Sequence, residues 1–154
     1  MDKTFKQDLQ IGKEAEELFA WCAQKELNAT NIIFNTTKDI AELRKWDLQY
    51  TNTDNKVIKF EVKHDIRSTE TGNFAIEFFG RNEPSGIDAT TADFWVMLSG
   101  SKFYIFKTDD LRNFIKQNRF KSIQINNGTA YVYLVPIAKA TPVATKIIDV
   151  PTTT

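Results

Sequence analysis

Cysteine and histidine each occur once in 154 residues, as Cys22 and His64. A lone cysteine excludes an intramolecular disulfide and a cysteine-rich zinc site. Long apolar runs are also missing: none approaches the roughly 20 residues of a membrane span. The opening MDKTFKQDLQ lacks the apolar core of a signal peptide. The expectation is a soluble, cytoplasmic chain with no membrane partner. Net charge is absent too, with 20 basic residues balanced by 20 acidic ones, which argues against a protein that coats polyanions over its whole surface but leaves local patches open. No P-loop, glycine-rich dinucleotide turn, Ser-His-Asp set or zinc finger is visible, so the enzyme and binding classes those motifs carry have little support.

What is present fits one domain with an ordinary core. Residues 10–27 put Ile11, Ala15, Leu18, Phe19 and Cys22 on one stripe at helical spacing, which predicts an amphipathic helix. NIIF at 31–34 reads as a strand, and TTKDIAELRKW as either a short helix or an irregular connection. Strands are expected at 47–51 and 57–64, and NFAIEFF at 73–79 is expected to continue the same sheet. Residues 93–98 and 102–106 read as a hairpin around SGS, and SIQINNGTAYVYLV as another around NNG. Between them TDDLRNFIKQN predicts a helix with Thr108 as its cap and two acids in the first turn. We expect a domain over 1–138 and a frayed or peripheral tail over 139–154. Trp21, Trp46 and Trp95 are read as core residues.

The stretch DLQYTNTDNKVIKFEVKHD, residues 47–65, carries the chemistry. Alternation puts Ile58, Phe60 and Val62 on one face of its second strand and Glu61, Lys63 and Asp65 on the other. For Leu48 and Tyr50 to join the apolar side, the connection must be odd-numbered, for example three residues at Thr53, Asp54 and Asn55, where an asparagine tolerates the left-handed conformation such loops need. Asp47 then sits across from Glu61, with side-chain roots about 4.5–5.5 Å apart. Two carboxylates that close disfavour each other unless a cation lies between them. Magnesium suits, because it takes oxygen ligands and uses only one or two protein carboxylates. Lys63 points to the same place, where it would orient or deprotonate a water, or balance charge on a pentacovalent phosphate. Metal-assisted phosphodiester hydrolysis fits the set.

With GKEAEE on the first helix, a lone acid in KWDLQY and FEVK after it, the chain resembles the PD-(D/E)XK nuclease superfamily over roughly residues 10–106. The pattern is closest to small phage and Holliday-junction-resolvase-type nucleases. The resemblance implies a restriction-endonuclease-like α/β fold, a mixed central sheet flanked by helices. It implies a Mg²⁺- or Mn²⁺-dependent endonuclease acting on DNA. Asp47 and Glu61 would be metal ligands with the Val62 carbonyl as a third, Lys63 the catalytic lysine, and Glu16, four after Gly12, the helix acid that holds the metal's water shell or a second ion. Trp46 stands where the family name has proline, and by helical angle Glu14 lies nearer the apolar stripe than Glu16, so Glu14, Glu16 and Glu17 all stay open for that role. Members of this kind resemble dimers, so a homodimer is expected.

Other residues are weighed beside these. Gln49 shares the Asp47 face and would hydrogen-bond a phosphate or order a water, and Arg67 and Arg81 sit in loops that would meet a DNA backbone. Six basic residues between Ser101 and Lys121, Lys102 and Lys116 among them, stand against Asp109 and Asp110, and read either as a solvated helix face or as a phosphate-contacting surface. Glu77 reads as a solvent or salt-bridge residue, with a place in the cleft as the alternative. Ser85, Gly86 and Thr91 are expected to shape the cleft rim, and Asp93 to cap a strand entry. A noncatalytic DNA- or protein-binding module on the same fold is the competing expectation.

Overall fold

The computed structural model describes residues 5–37, 39 and 45–151. The ambiguous 36–46 segment falls largely outside them. Helix α1 spans Phe5–Glu26, longer than the apolar stripe alone predicts. It is followed by β1 (Thr30–Phe34), β2 (Leu48–Thr51) and β3 (Val57–His64), then a short helix α2 (Ser68–Thr71). Next come β4 (Asn73–Gly80), β5 (Glu83–Pro84), a 3-10 turn at Gly86–Asp88, β6 (Phe94–Ser99) and β7 (Lys102–Lys107). Helix α3 (Thr108–Gln117), β8 (Ser122–Ile125), β9 (Ala130–Pro136), α4 (Ile137–Ala140), a 3-10 turn at Thr141–Val143 and β10 (Lys146–Asp149) complete the chain. Among the described residues no helix is long and apolar enough to cross a membrane.

The strands form two sheets. Six are ordered β1-β2-β3-β6-β7-β10 and four are ordered β5-β4-β9-β8. The larger sheet is mixed, because β3 and β6 run parallel while its other pairs are antiparallel. NFAIEFF therefore does not continue the sheet of 47–64. It pairs with β9, from Asn73 against Pro136 to Gly80 against Ala130. Its alternation fits either sheet equally well, and the partner that decides the matter lies far along the sequence.

Each face of the six-stranded sheet has its own core. On one, α1 lays Ala15, Phe19, Cys22 and Ala23 against Leu48, Tyr50, Phe60, Val62, Val96, Leu98, Phe103 and Ile105. Phe19, Phe60 and Phe103 meet with ring centroids 5.0 and 5.3 Å apart. On the other, Trp95, Met97 and Phe106 pack against Phe74, Ile76 and Val135 of the second sheet and Leu111 and Ile115 of α3. The β3 face that alternation reserves for polar residues is thus covered by a second layer.

Three further expectations are corrected. The 139–154 tail is not frayed through its length: Lys146–Asp149 pair with Lys102–Ile105, and Ile148 is buried in the α1-side core. Thr108 does not cap α3. It is the first helical residue, its N–H donates to the Asp93 carbonyl at 3.0 Å, and its buried hydroxyl has no hydrogen-bond partner. Trp95 is a core residue, but Trp21 is 42% exposed and lies under the Lys25 ammonium.

Candidate functional site

The β2–β3 hairpin has the expected register. Leu48 faces Phe60 and Thr51 faces Val57, leaving Thr53, Asp54 and Asn55 as the tip, with Asn55 at φ 61. The Asn52 side chain accepts from the amides of Asp54 and Lys56 at 2.9 Å each, so the turn is closed by an asparagine on each side.

Because β2 begins at Leu48, β3 outruns it, and Glu61 to His64 have no β2 residue beside them. Asp47 fills the top of this notch. Its N–H donates to the Phe60 carbonyl at 2.8 Å, and its Oδ2 accepts from the Val62 N–H at 2.7 Å. In a strand the N–H and C=O of one residue point to the same edge, so the Val62 carbonyl also faces the notch. Glu61 and Lys63 stand beside Trp95 and Met97 of β6, with Lys63 Nζ 3.1 Å from Glu61 Oε1 and 5.7 Å from the centre of the Trp95 ring. Glu61 is 4% exposed, and its Oε2 has no hydrogen-bond partner.

Of the three candidate α1 acids, Glu16 is the one beside Asp47. Glu14 and Glu17 are exposed, whereas Glu16 is half-buried and is a side-chain hydrogen-bond partner of Asp47. Two carboxyl groups can share a hydrogen bond only if one carries a proton. Burial first, then the charge of Asp47 and its hydrogen bond, push the Glu16 carboxyl up to about 8. Burial likewise raises Glu61 to about 7, against the pull of Lys63 and with the push of Asp47. Asp47 is raised by burial although Lys63 and the Val62 N–H work the other way. Lys63 is raised well above the ordinary lysine value, chiefly by the Glu61 charge. The Glu61 charge thus favours the ammonium form of Lys63, which suits orienting a water or balancing charge.

These residues fit a hard divalent cation. An excess of negative charge carries extra protons, and one buried carboxylate oxygen is unpartnered; a cation would displace the former and satisfy the latter. Among the described residues no three acid, histidine or cysteine side chains form a ready-made cage. Were a cation bound, Asp47, Glu61 and the Val62 carbonyl would supply a minority of its ligands and water or substrate oxygens the rest.

The other expected contacts divide. Gln49 is half-buried on β2, opposite Lys59. Arg67 and Arg81 are exposed, Arg67 leading into α2 and Arg81 in the β4–β5 turn at φ 52. Lys102 is engaged away from the acidic centre, and Lys116 is exposed on its helix. Lys102, on β7, is two strands from Lys63 and is ion-paired with Asp149, and Lys116 lies in the exposed last turn of α3. Arg112, in the same basic run, is structural. Its guanidinium donates to the carbonyls of Ile87 and Thr90 at 2.8 and 2.7 Å.

The cleft-rim residues do more than frame. Ser85 Oγ donates to Glu77 Oε2 at 2.8 Å, Thr91 N–H donates to the Lys45 carbonyl at 3.0 Å, and Asp93 Oδ2 accepts from the Lys59 N–H at 2.8 Å. Glu77 is the residue the sequence underweights. It is half-buried, and its charge bears on both Glu61 and Lys63. The signal that points to it is a lone acid inside the otherwise apolar FAIEFF. An open groove of about 370 Å³ lies elsewhere, between α1 and the end of β3, lined by Ala15, Leu18, His64, Ile66 and Leu98 among others. Comparison with family models, with curated proteins and with solved structures finds no match.

Proposed function

We propose that the chain is a divalent-metal-dependent deoxyribonuclease of the restriction-endonuclease-like fold, hydrolysing DNA phosphodiester bonds. The observation that carries this reading is the notch beside β3, where Asp47 accepts from the Val62 N–H and acts on Glu16, while Glu61, paired with Lys63 through Oε1, keeps a buried Oε2 with no hydrogen-bond partner. Hydrolysis adds water across one P–O ester bond: the water oxygen bonds to phosphorus, the ester oxygen departs with a proton, and a phosphomonoester remains. Bound magnesium or manganese supplies charge neutralisation and a more acidic water. Asp47 and Glu61 would hold the cation. Lys63, fixed as an ammonium by Glu61, donates hydrogen bonds to the attacking water or to a phosphate oxygen as negative charge grows on it. Glu16, beside Asp47, would order the water shell of such a cation. Arg67, Arg81 and Gln49 are the candidates for backbone contacts around this centre.

The test is cleavage of labelled duplex, single-stranded, flap and four-way-junction DNA in magnesium and in EDTA, for the wild type, Asp47→Ala and Lys63→Ala. The expected result is magnesium-dependent cutting that falls by at least about 10²-fold in both variants while the fold persists. Tight DNA binding with no cutting of any substrate, unaffected by either substitution, would replace this reading with the noncatalytic binding module.

A further inference from the structure

Of the groups that would hold a cation, Glu61 and Val62 lie within β3, whereas Asp47 precedes β2, which begins at Leu48. The aim of its carboxylate therefore depends on what holds the chain as it enters β2. That chain is gripped at three successive carbonyls. Lys45 accepts from the Thr90 hydroxyl at 2.7 Å and from the Thr91 N–H at 3.0 Å. Trp46 accepts from the Asn35 side-chain amide at 2.9 Å, and Asp47 from the Asn35 N–H at 2.8 Å.

Both gripping side chains are themselves held. Thr90 is 4% exposed. Its hydroxyl accepts from the Ala92 N–H at 3.1 Å, which leaves its own proton for Lys45, and its carbonyl accepts from the Arg112 guanidinium of α3 at 2.7 Å. The Asn35 side-chain oxygen accepts from the Thr37 N–H at 3.3 Å, which turns the amide donor toward Trp46. At the end of these contacts stands the Asp47 carboxylate, with Oδ2 on the Val62 N–H at 2.7 Å. We propose that Thr90 and Asn35 are positioning residues for Asp47: by fixing the peptide from Lys45 to Asp47 they keep its carboxylate on the Val62 amide, set for a divalent cation before one arrives. The purpose rests on the nuclease reading, whereas the hold on Val62 is measurable without metal or substrate.

The first readout is hydrogen exchange at the Val62 amide in the metal-free protein, with the amides of β6 and β7 reporting global opening. Asp47→Ala marks full loss of the contact. Thr90→Val removes the donor at nearly constant shape, and Asn35→Ala frees the Trp46 carbonyl and serves if Thr90→Val does not fold. Each should speed exchange at Val62 by at least about tenfold and leave the β6 and β7 amides unchanged. Thr90→Ser, which keeps the hydroxyl, should exchange like the wild type. The second readout is manganese binding, followed by the EPR signal of the free ion. Thr90→Val and Asn35→Ala should bind manganese about 10–100-fold more weakly, the usual loss when an outer-shell partner of a metal ligand is removed. A Val62 amide as slow in both variants as in the wild type, or already unprotected in the wild type, overturns the proposal. So does a speeding shared equally by β6 and β7, which marks a merely structural role, and so does faster Val62 exchange with manganese affinity unchanged. A wild type that binds no manganese defeats the metal-dependent nuclease reading, and Val62 exchange then decides the positioning of Asp47 by itself.

Discussion

Glu61 is an acid with one oxygen on Lys63 and the other on nothing, in a place 4% exposed. An isolated ionised carboxylate in such surroundings is costly, and the protein's answer without a metal is to raise the affinity for a proton. A divalent cation is the alternative answer, and the two compete for the same oxygen. Glu61→Gln keeps the shape and removes the charge, leaving a hard cation a neutral amide oxygen in place of a carboxylate. If the site takes magnesium, a concentration ten times the dissociation constant stabilises the wild type by about 1.4 kcal/mol, roughly 3–6 °C in Tm for a chain of this size. In Glu61→Gln that rise should vanish while the metal-free protein still unfolds cooperatively. A rise of equal size in the variant would remove Glu61 from the ligand set. At this scale the placement was legible: Leu48 and Tyr50 joining the apolar side of the alternating β3 fix the register that brings Asp47 to its polar edge. Exposure was not, because nothing in Glu61-Val62-Lys63 announces the second sheet that covers its polar side.

Elements explain where legibility stopped. The β2–β3 hairpin was readable since its partners are adjacent and its tip chemistry is explicit, an odd loop ending on Asn55 at φ 61. For β4 the local pattern names a strand but not a sheet, and for β10 four residues, KIID, are too few to establish alternation; only Ile148 in the core shows why they dock. Thr108 was misread as a cap because a Thr before two acids matches the cap pattern, while the true start depends on the Asp93 carbonyl across the fold. The loop from Ser85 to Asp93 looked like a rim and is a bracket, joined to β4, to α3 and to the chain before Asp47. Gly86 is its tightest point. Gly86→Ala combines a left-handed backbone with a contact to the Glu77 carbonyl that cannot give way, and should cost roughly 2–5 kcal/mol. Denaturant unfolding measures this directly. A cost under about 0.5 kcal/mol, the range of ordinary surface substitutions, would mean that the bracket is not tight.

For the whole molecule the acidic notch sets how stability responds to pH. Glu16 and Glu61 titrate near 8 and 7 in the fold against an ordinary 4.5, and Asp47 is raised in the same direction. Between those limits the folded state binds more protons than the unfolded one. Stability then falls as pH rises. The decline begins near pH 4.5, where the unfolded carboxylates ionise first, and levels off above about 8, where the folded ones have followed. Lys63 adds no slope in that window, since its raised value lies above an ordinary 10.5 and its contribution is fully present at every lower pH. In EDTA, Tm should therefore be higher at pH 5 than at pH 8, and Glu16→Gln should flatten the difference by removing one of the groups that holds an extra proton. Magnesium should stabilise more at pH 8 than at pH 5, since at the lower pH it must displace protons to bind. Thermal unfolding of both proteins across this range, with and without magnesium, tests the set. A Glu16→Gln profile parallel to the wild type would mean that Glu16 shares no proton with Asp47, and the notch would lose its helix acid.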